Sequence, residues 1–220
     1  MNARWRAPRA HRRRPSRPVP RARRIIQHVN AALNGDGSIT LSRLLRGRRG
    51  TEDAGVFAAT TYILLDGSQL RITSALSALN GSESFRFPGA FETVEQVGTA
   101  SRIATGRAER PLAPASIRGT RDGSNNLTIT WVRRTRLGGE WLDLTGDVPL
   151  GEASEAYEVE IRNAGDTATV RTITGLSTPS ASYPAAQQIT DFGATQASVN
   201  LRIFQISGAV GRGIAGRATV

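Results

Sequence analysis

The side chains best able to do chemistry are few in this chain of 220 residues. It has no Cys, which removes thiolate nucleophiles, thiolate zinc sites, cluster-type iron sites and disulfide frameworks. Its two His are His11 and His28. His11 lies in an Arg- and Pro-rich stretch, so a Ser-His-Asp site or an imidazole metal site would have to be built around His28 alone. His28 follows a two-residue alternation, and a surface or half-buried strand histidine is the better reading. Glu152, Glu155, Glu158 and Glu160 look like a general-acid cluster until the strand is drawn. Glu158 and Glu160 then share the face opposite Tyr157, Val159 and Ile161, which is the pattern of a solvated strand face. The segment Gly208 to Gly213 has the glycines of a phosphate loop but lacks a following helix and a Lys-Ser/Thr pair. The expectation is no catalytic residue, no cofactor and no metal.

Arginine offers binding chemistry instead. Arg43, Arg46, Arg48 and Arg49 surround Gly47 and Gly50, with Glu52 close behind. Planar guanidinium donors so concentrated suit carboxylates of a neighbouring subunit, and these five charged residues are candidate interchain contacts. Arg133, Arg134 and Arg136 with Trp141 form a second cluster, in the loop after a strand. Loops at the end of a sandwich carry binding surfaces, so protein or sugar recognition is the candidate role there.

All 29 basic residues are Arg, and the formal net charge is +11. Its distribution is uneven. Residues 1–24 hold ten Arg and no acid, leaving 19 Arg against 18 acids in the other 196 residues. That arm also holds four of the ten Pro and few large apolar residues, so it cannot bury enough surface to offset its ordering entropy. It reads as a disordered or partner-ordered arm, and ten guanidinium groups would bind nucleic-acid phosphates in a salt-sensitive way. No apolar run approaches the roughly 20 residues of a membrane span.

The elements that must position these groups are strands. Ile25, Gln27, Val29, Ala31 and Leu33 fall on one face, Asn34-Gly35-Asp36-Gly37 supplies turn chemistry, and Ile39 and Leu41 resume the alternation, which predicts a hairpin. Tyr62 to Thr73 reads as a second hairpin around Asp66-Gly67, and Ser84 to Phe87 and Phe91 to Val97 as strands broken at Pro88-Gly89. Thr51 to Thr60 has at most the pattern of a short helix. A linker around Pro111 and Pro114 opens the second half. Short strands follow at Ser116 to Thr120, Leu127 to Trp131, Tyr157 to Arg162, Ala168 to Ile173, Val199 to Ile203 and up to Val220. One inward Trp on the second strand, after paired Pro, is the pattern of a fibronectin type III-like β-sandwich. The expected fold is all-β: an arm over 1–24, a small β domain over 25–108 and the sandwich over 109–220.

Four segments carry a resemblance. LLRGRRGTE (Leu44 to Glu52), NLTITWVRRTRLGGEW (Asn126 to Trp141), PLGEASEAYEVEI (Pro149 to Ile161) and the Gln-rich segment AAQQITDFG (Ala185 to Gly193), expected as a strand, occur in order. Together they make the region from Ile25 to Val220 resemble the C-terminal part of tail-tip hub proteins. These are the host-specificity or central-fibre-like proteins of long-tailed phages and gene transfer agents. The resemblance implies a virion component at the distal end of the tail, a homotrimer around the tail axis. Its implied partners are the hub, the distal tail protein, the tail tube or fibre and a host cell-surface receptor. Members are usually far longer, with the matching part at their C-terminal end. The alternative is a nucleic-acid-binding protein using the arm.

Overall fold

The computed structural model describes residues 3–6, 24–53, 63–65, 74–138 and 148–220. Most of the arm, most of the Tyr62 to Thr73 hairpin, the Thr51 to Thr60 segment beyond residue 53, and Trp141 lie outside the described residues. The chain divides into two compact units, 1–62 and 63–220. That boundary falls earlier in the chain than the one expected at the Pro-rich linker.

In the first unit, Ala3–Arg6 (β1), Asn30–Leu33 (β3) and Ser38–Ser42 (β4) form an antiparallel sheet in the order β1-β4-β3. The stretch expected as a disordered or partner-ordered arm contains this strand, with Trp5 opposite Ile39, because Ala-Arg-Trp-Arg already alternates with period two. The predicted hairpin is present as β3 and β4, with Leu33 opposite Ile39. Its turn is set by Asp36, whose Oδ1 accepts from the Ser38 N–H at 3.0 Å and its Oγ at 2.6 Å. The expected continuous strand from Ile25 to Leu33 is instead two. Ile25–Gln27 (β2) pairs separately with Leu45–Arg48 (β5).

The second unit begins with a two-stranded arm, Ser82–Phe85 (β6) against Ala100–Ile103 (β7). Phe91 to Val97, expected as a strand, is a turn and a 3-10 helix over Val94–Gln96. A capping box decides this: Gln96 Oε1 accepts from the Thr93 N–H at 2.8 Å.

Seven strands then build the sandwich: Ala115–Arg121 (β8), Leu127–Val132 (β9), Tyr157–Arg162 (β10), Thr169–Leu176 (β11), Ser180–Tyr183 (β12), Asn200–Ser207 (β13) and, beyond the short Gly211–Arg212 (β14), Gly216–Thr219 (β15). One sheet has the order β12-β9-β8; the other runs β11-β10-β13, with β14 and β15 both paired to β13. This strand order is that of a fibronectin type III-like sandwich. The alternation read from the sequence fills its core. Leu127, Ile129, Trp131, Ala181 and Tyr183 from one sheet meet Tyr157, Val159, Ile161, Leu201 and Ile203 from the other. Burying each large apolar side chain contributes about 1.5–3 kcal/mol. Trp131 and Tyr157 meet edge to face at 5.2 Å. Gly213 admits no side chain, since a Cβ there would lie 2.8 Å from Pro111 and from the Gln205 carbonyl. That close approach lets Ile214 N–H donate to the Pro111 carbonyl at 2.9 Å, zipping the linker onto the sheet edge.

The Gln-rich segment, expected as a strand, is an α-helix, α1 (Ala185–Phe192). Ala and Gln are good helix formers, Pro184 sits at the N-cap, and Gly193 closes the helix at φ 80° with its N–H on the Ile189 carbonyl. No described helix is long and apolar enough to cross a membrane.

Candidate functional site

The Arg-Gly motif of the first unit is a closed loop. β5 pairs with β2 through Ile25 opposite Arg48, Ile26 opposite Arg46 and Gln27 opposite Leu45, so Gly47 is the extra residue of a bulge, at φ 77°. A Cβ at Gly47 would lie 3.0 Å from the Glu52 Cα, because the chain after β5 folds directly back over it. Thr51, buried in that turn, accepts the Ile25 N–H at 3.0 Å. Glu52 is half-buried beneath the bulge, and Arg43, Arg46 and Arg49 project into solvent. Arg43 and Arg49 both hold left-handed backbone, at φ 55° and 51°. Such strain in non-glycine residues persists only where the surrounding structure fixes it, and it concentrates at functional loops. Three outward guanidinium groups on one ribbon form a surface able to clamp carboxylates or phosphates.

The second arginine cluster is built differently. Arg133 donates to the carbonyls of Pro149 at 2.9 Å and Val148 at 2.6 Å. Arg136 bridges Glu109 at 2.5 Å and Glu152 at 3.3 Å, the latter almost fully buried. Arg134 reaches the Ala113 carbonyl at 3.4 Å. Arg133 and Arg136 are therefore struts that tie residues 148–152 to the strand end and to Glu109, with their donors already engaged. Trp141 lies outside the described residues.

Four polar centres lie beyond the two expected arginine clusters. Asp166 gathers Arg162 at 3.0 Å, Arg202 at 2.9 Å and Arg217 at 3.5 Å. Arg212 joins Glu158 and Glu160, both at 2.6 Å, and lies over the Phe204 ring at 4.6 Å. Glu158 and Glu160 share one face as expected, but Arg162, Arg202 and Arg212 roof that face, and Glu160 and Arg162 are buried in the ladder. Hydrogen bonds from Arg202, with help from Arg162, hold the Asp166 carboxyl below the usual carboxylate range. Asp191 accepts Arg171 through two bonds at 2.6 and 2.8 Å and the Tyr183 hydroxyl at 2.8 Å, which lowers its pKa in the same way. Gln188, fully buried in α1, donates to the Tyr183 and Asn125 carbonyls and accepts from Arg121 and the Gln196 N–H. The alternation of Glu158, Glu160 and Arg162 was visible; the partner strands that neutralise it were not.

Among the described residues no group of three or more His, Asp or Glu is placed to hold a metal ion. His28 is half-buried beside β2.

No protein-family profile matches the chain. Comparison with curated proteins returns no match. Among solved structures, it is similar to one titled a myokine structure, at 15% identity and TM-score 0.32 over 50% of this chain and 95% of that one. It is similar also to the FN5 domain of Drosophila Lar, at 12% identity and TM-score 0.31 over 50% and 94%. The extracellular domains d3-d4 of rat CD45 align over 94% of this chain and 97% of theirs, at 11% identity and TM-score 0.35.

Proposed function

We propose that this chain is a structural component of a phage or phage-like tail tip, in the baseplate hub or central fibre region, acting in tail assembly and host adsorption. Its work is to bind neighbours, not to turn over a substrate. The observation that carries the reading is the LLRGRRGTE loop. This segment, one of the four that carry the resemblance, folds as a strained bulge and turn that presents Arg43, Arg46 and Arg49 outward. The sandwich serves as a second module, displayed outward or packed on neighbouring tail proteins. The partners are other tail-tip proteins, further copies of the chain in a trimer, and a receptor on the host surface.

The test is incorporation into tails. Arg46→Glu with Arg49→Glu, at exposed positions, is expected to reduce the chain's recovery in purified tails about tenfold or more while the sandwich melts unchanged. Full incorporation of that variant would sink the role given to the loop.

A second reading, nucleic-acid binding, is favoured by the ten Arg without an acid in residues 1–24. Replacing the seven arginines between residues 9 and 23 with Gln, which spares β1, then abolishes salt-sensitive DNA or RNA binding and leaves assembly intact. A full chain that binds neither at low salt ends that reading.

A further inference from the structure

The arm formed by β6 and β7 has an unfinished look. It is a two-stranded sheet, and among the described residues no third strand pairs with either edge. An isolated two-stranded ribbon is marginal in water. Its loop carries Phe91 at 101% and Phe87 at 68% exposure, and Ile103 on β7 is 59% exposed. Two phenylalanines at about 150–250 Å² each already make the few hundred Å² of apolar surface that marks an interaction site.

The edges are legible atom by atom. Ala104 donates to the Gly81 carbonyl at 3.1 Å and accepts from the Asn80 N–H at 2.7 Å, so its polar groups face β6. By the alternation of an antiparallel ladder, those of Arg102 and Ala100 do too. The N–H and C=O groups of Ser101 and Ile103 therefore point out of the free edge, and those of Ser82 and Ser84 point out of the other.

Charge then selects the occupant. Glu83 lies opposite Arg102 within the arm, and Phe85 opposite Ala100. Glu83 Oε2 is buried and accepts no hydrogen bond among the described residues. If a second arm continues the sheet in the same register, its β6 lies against the first arm's β7. Ser101 and Ile103 then bond Ser84 and Ser82 of the second copy, and Arg102 stands beside that copy's Glu83. Pairing β7 with β7 about Arg102 would instead oppose like charges.

We propose that the β6–β7 arm is a self-association element, adding edge to edge and head to tail with arms of further copies of this chain. A rotation axis along the strands closes such heterologous contacts into a ring. The inference rests on the reading of the chain as an assembly component, and is separable from it by experiment.

The test is sedimentation and light scattering on the full chain at several concentrations. The wild type is expected to self-associate. Ser101→Pro removes an outward N–H without touching the β6 ladder and is expected to weaken association about tenfold or more. Arg102→Glu and Glu83→Arg should each weaken it, and the double swap should restore it. Thermal melts of each variant report whether the sandwich is intact. A wild type that stays monomeric, or an association indifferent to Ser101→Pro and to both charge reversals, overturns the proposal. A chain that self-associates through the arm but never enters tails leaves it standing and removes the tail reading.

Discussion

Asp191 shows how much one carboxylate carries. It receives two bonds from Arg171 on β11 and one from the Tyr183 hydroxyl at the end of β12, which ties α1 to both sheets. Its folded pKa lies below the ordinary value, so its contribution is present above the unfolded pKa of about 3.9 and is lost as pH falls through the lower folded value. Asp191→Asn is expected to lower unfolding free energy at pH 7 by about 1–3 kcal/mol. In urea titrations that gap should close as the medium is acidified through the folded pKa; a gap of constant size would contradict the account. The two arginine clusters separate on the same scale. Arg46→Ala, exposed, should change stability by less than about 0.5 kcal/mol. Arg136→Ala strands the buried carboxylate of Glu152 and should cost about 1–3 kcal/mol, measured by the same titrations. Equal effects would mean that the clusters have been assigned the wrong way round.

At the scale of elements, α1 is held by Gln188 more than by apolar contact. Gln188→Ala leaves the Tyr183 and Asn125 carbonyls and the Arg121 guanidinium short of partners, and is expected to cost about 1–3 kcal/mol and to expose the 185–192 amides to hydrogen exchange ahead of β9 and β13. Exchange at the pace of the core strands would contradict this. The same helix marks where sequence reasoning stopped. Strands with one buried face were legible, because Leu127, Ile129 and Trp131, or Tyr157, Val159 and Ile161, announce themselves by alternation. Ser180–Tyr183 carried no such signal, since its inward residues are one Ala and one Tyr. The Gln-rich segment resisted for a different reason: its helix signals, Pro before and Gly after, were present, but they stood in a chain otherwise built of strands. Charged faces were the least legible. Glu160 looked solvated until Arg202, some forty positions later, came to lie directly opposite it. The outward guanidinium groups of the Arg-Gly loop could be anticipated from composition; the strain at Arg43 and Arg49 could not.

For the whole molecule, the charge of +11 and the fold address different partners. Ten arginines in the first 24 residues account for nearly all of the excess, and the remaining 196 residues hold 19 Arg against 18 acids. Within the sandwich these pair off: Arg162, Arg202, Arg212 and Arg217 lie with Glu158, Glu160 and Asp166 on one sheet. Among the described residues, exposed Arg43, Arg46 and Arg49 leave basic surface on the first unit's Arg-Gly ribbon, and exposed Phe87, Phe91 and Ile103 leave apolar surface at the β6–β7 arm. Both suit contact with other protein subunits, which is what assembly at a tail tip requires. The most direct measurement is quantitative mass spectrometry of purified tails from the organism that encodes the chain. The account predicts the chain in every tail at a fixed small copy number, about three if it follows a closed ring around the tail axis. Its absence from tails, with the chain recovered only as a free and stable monomer, would contradict the account.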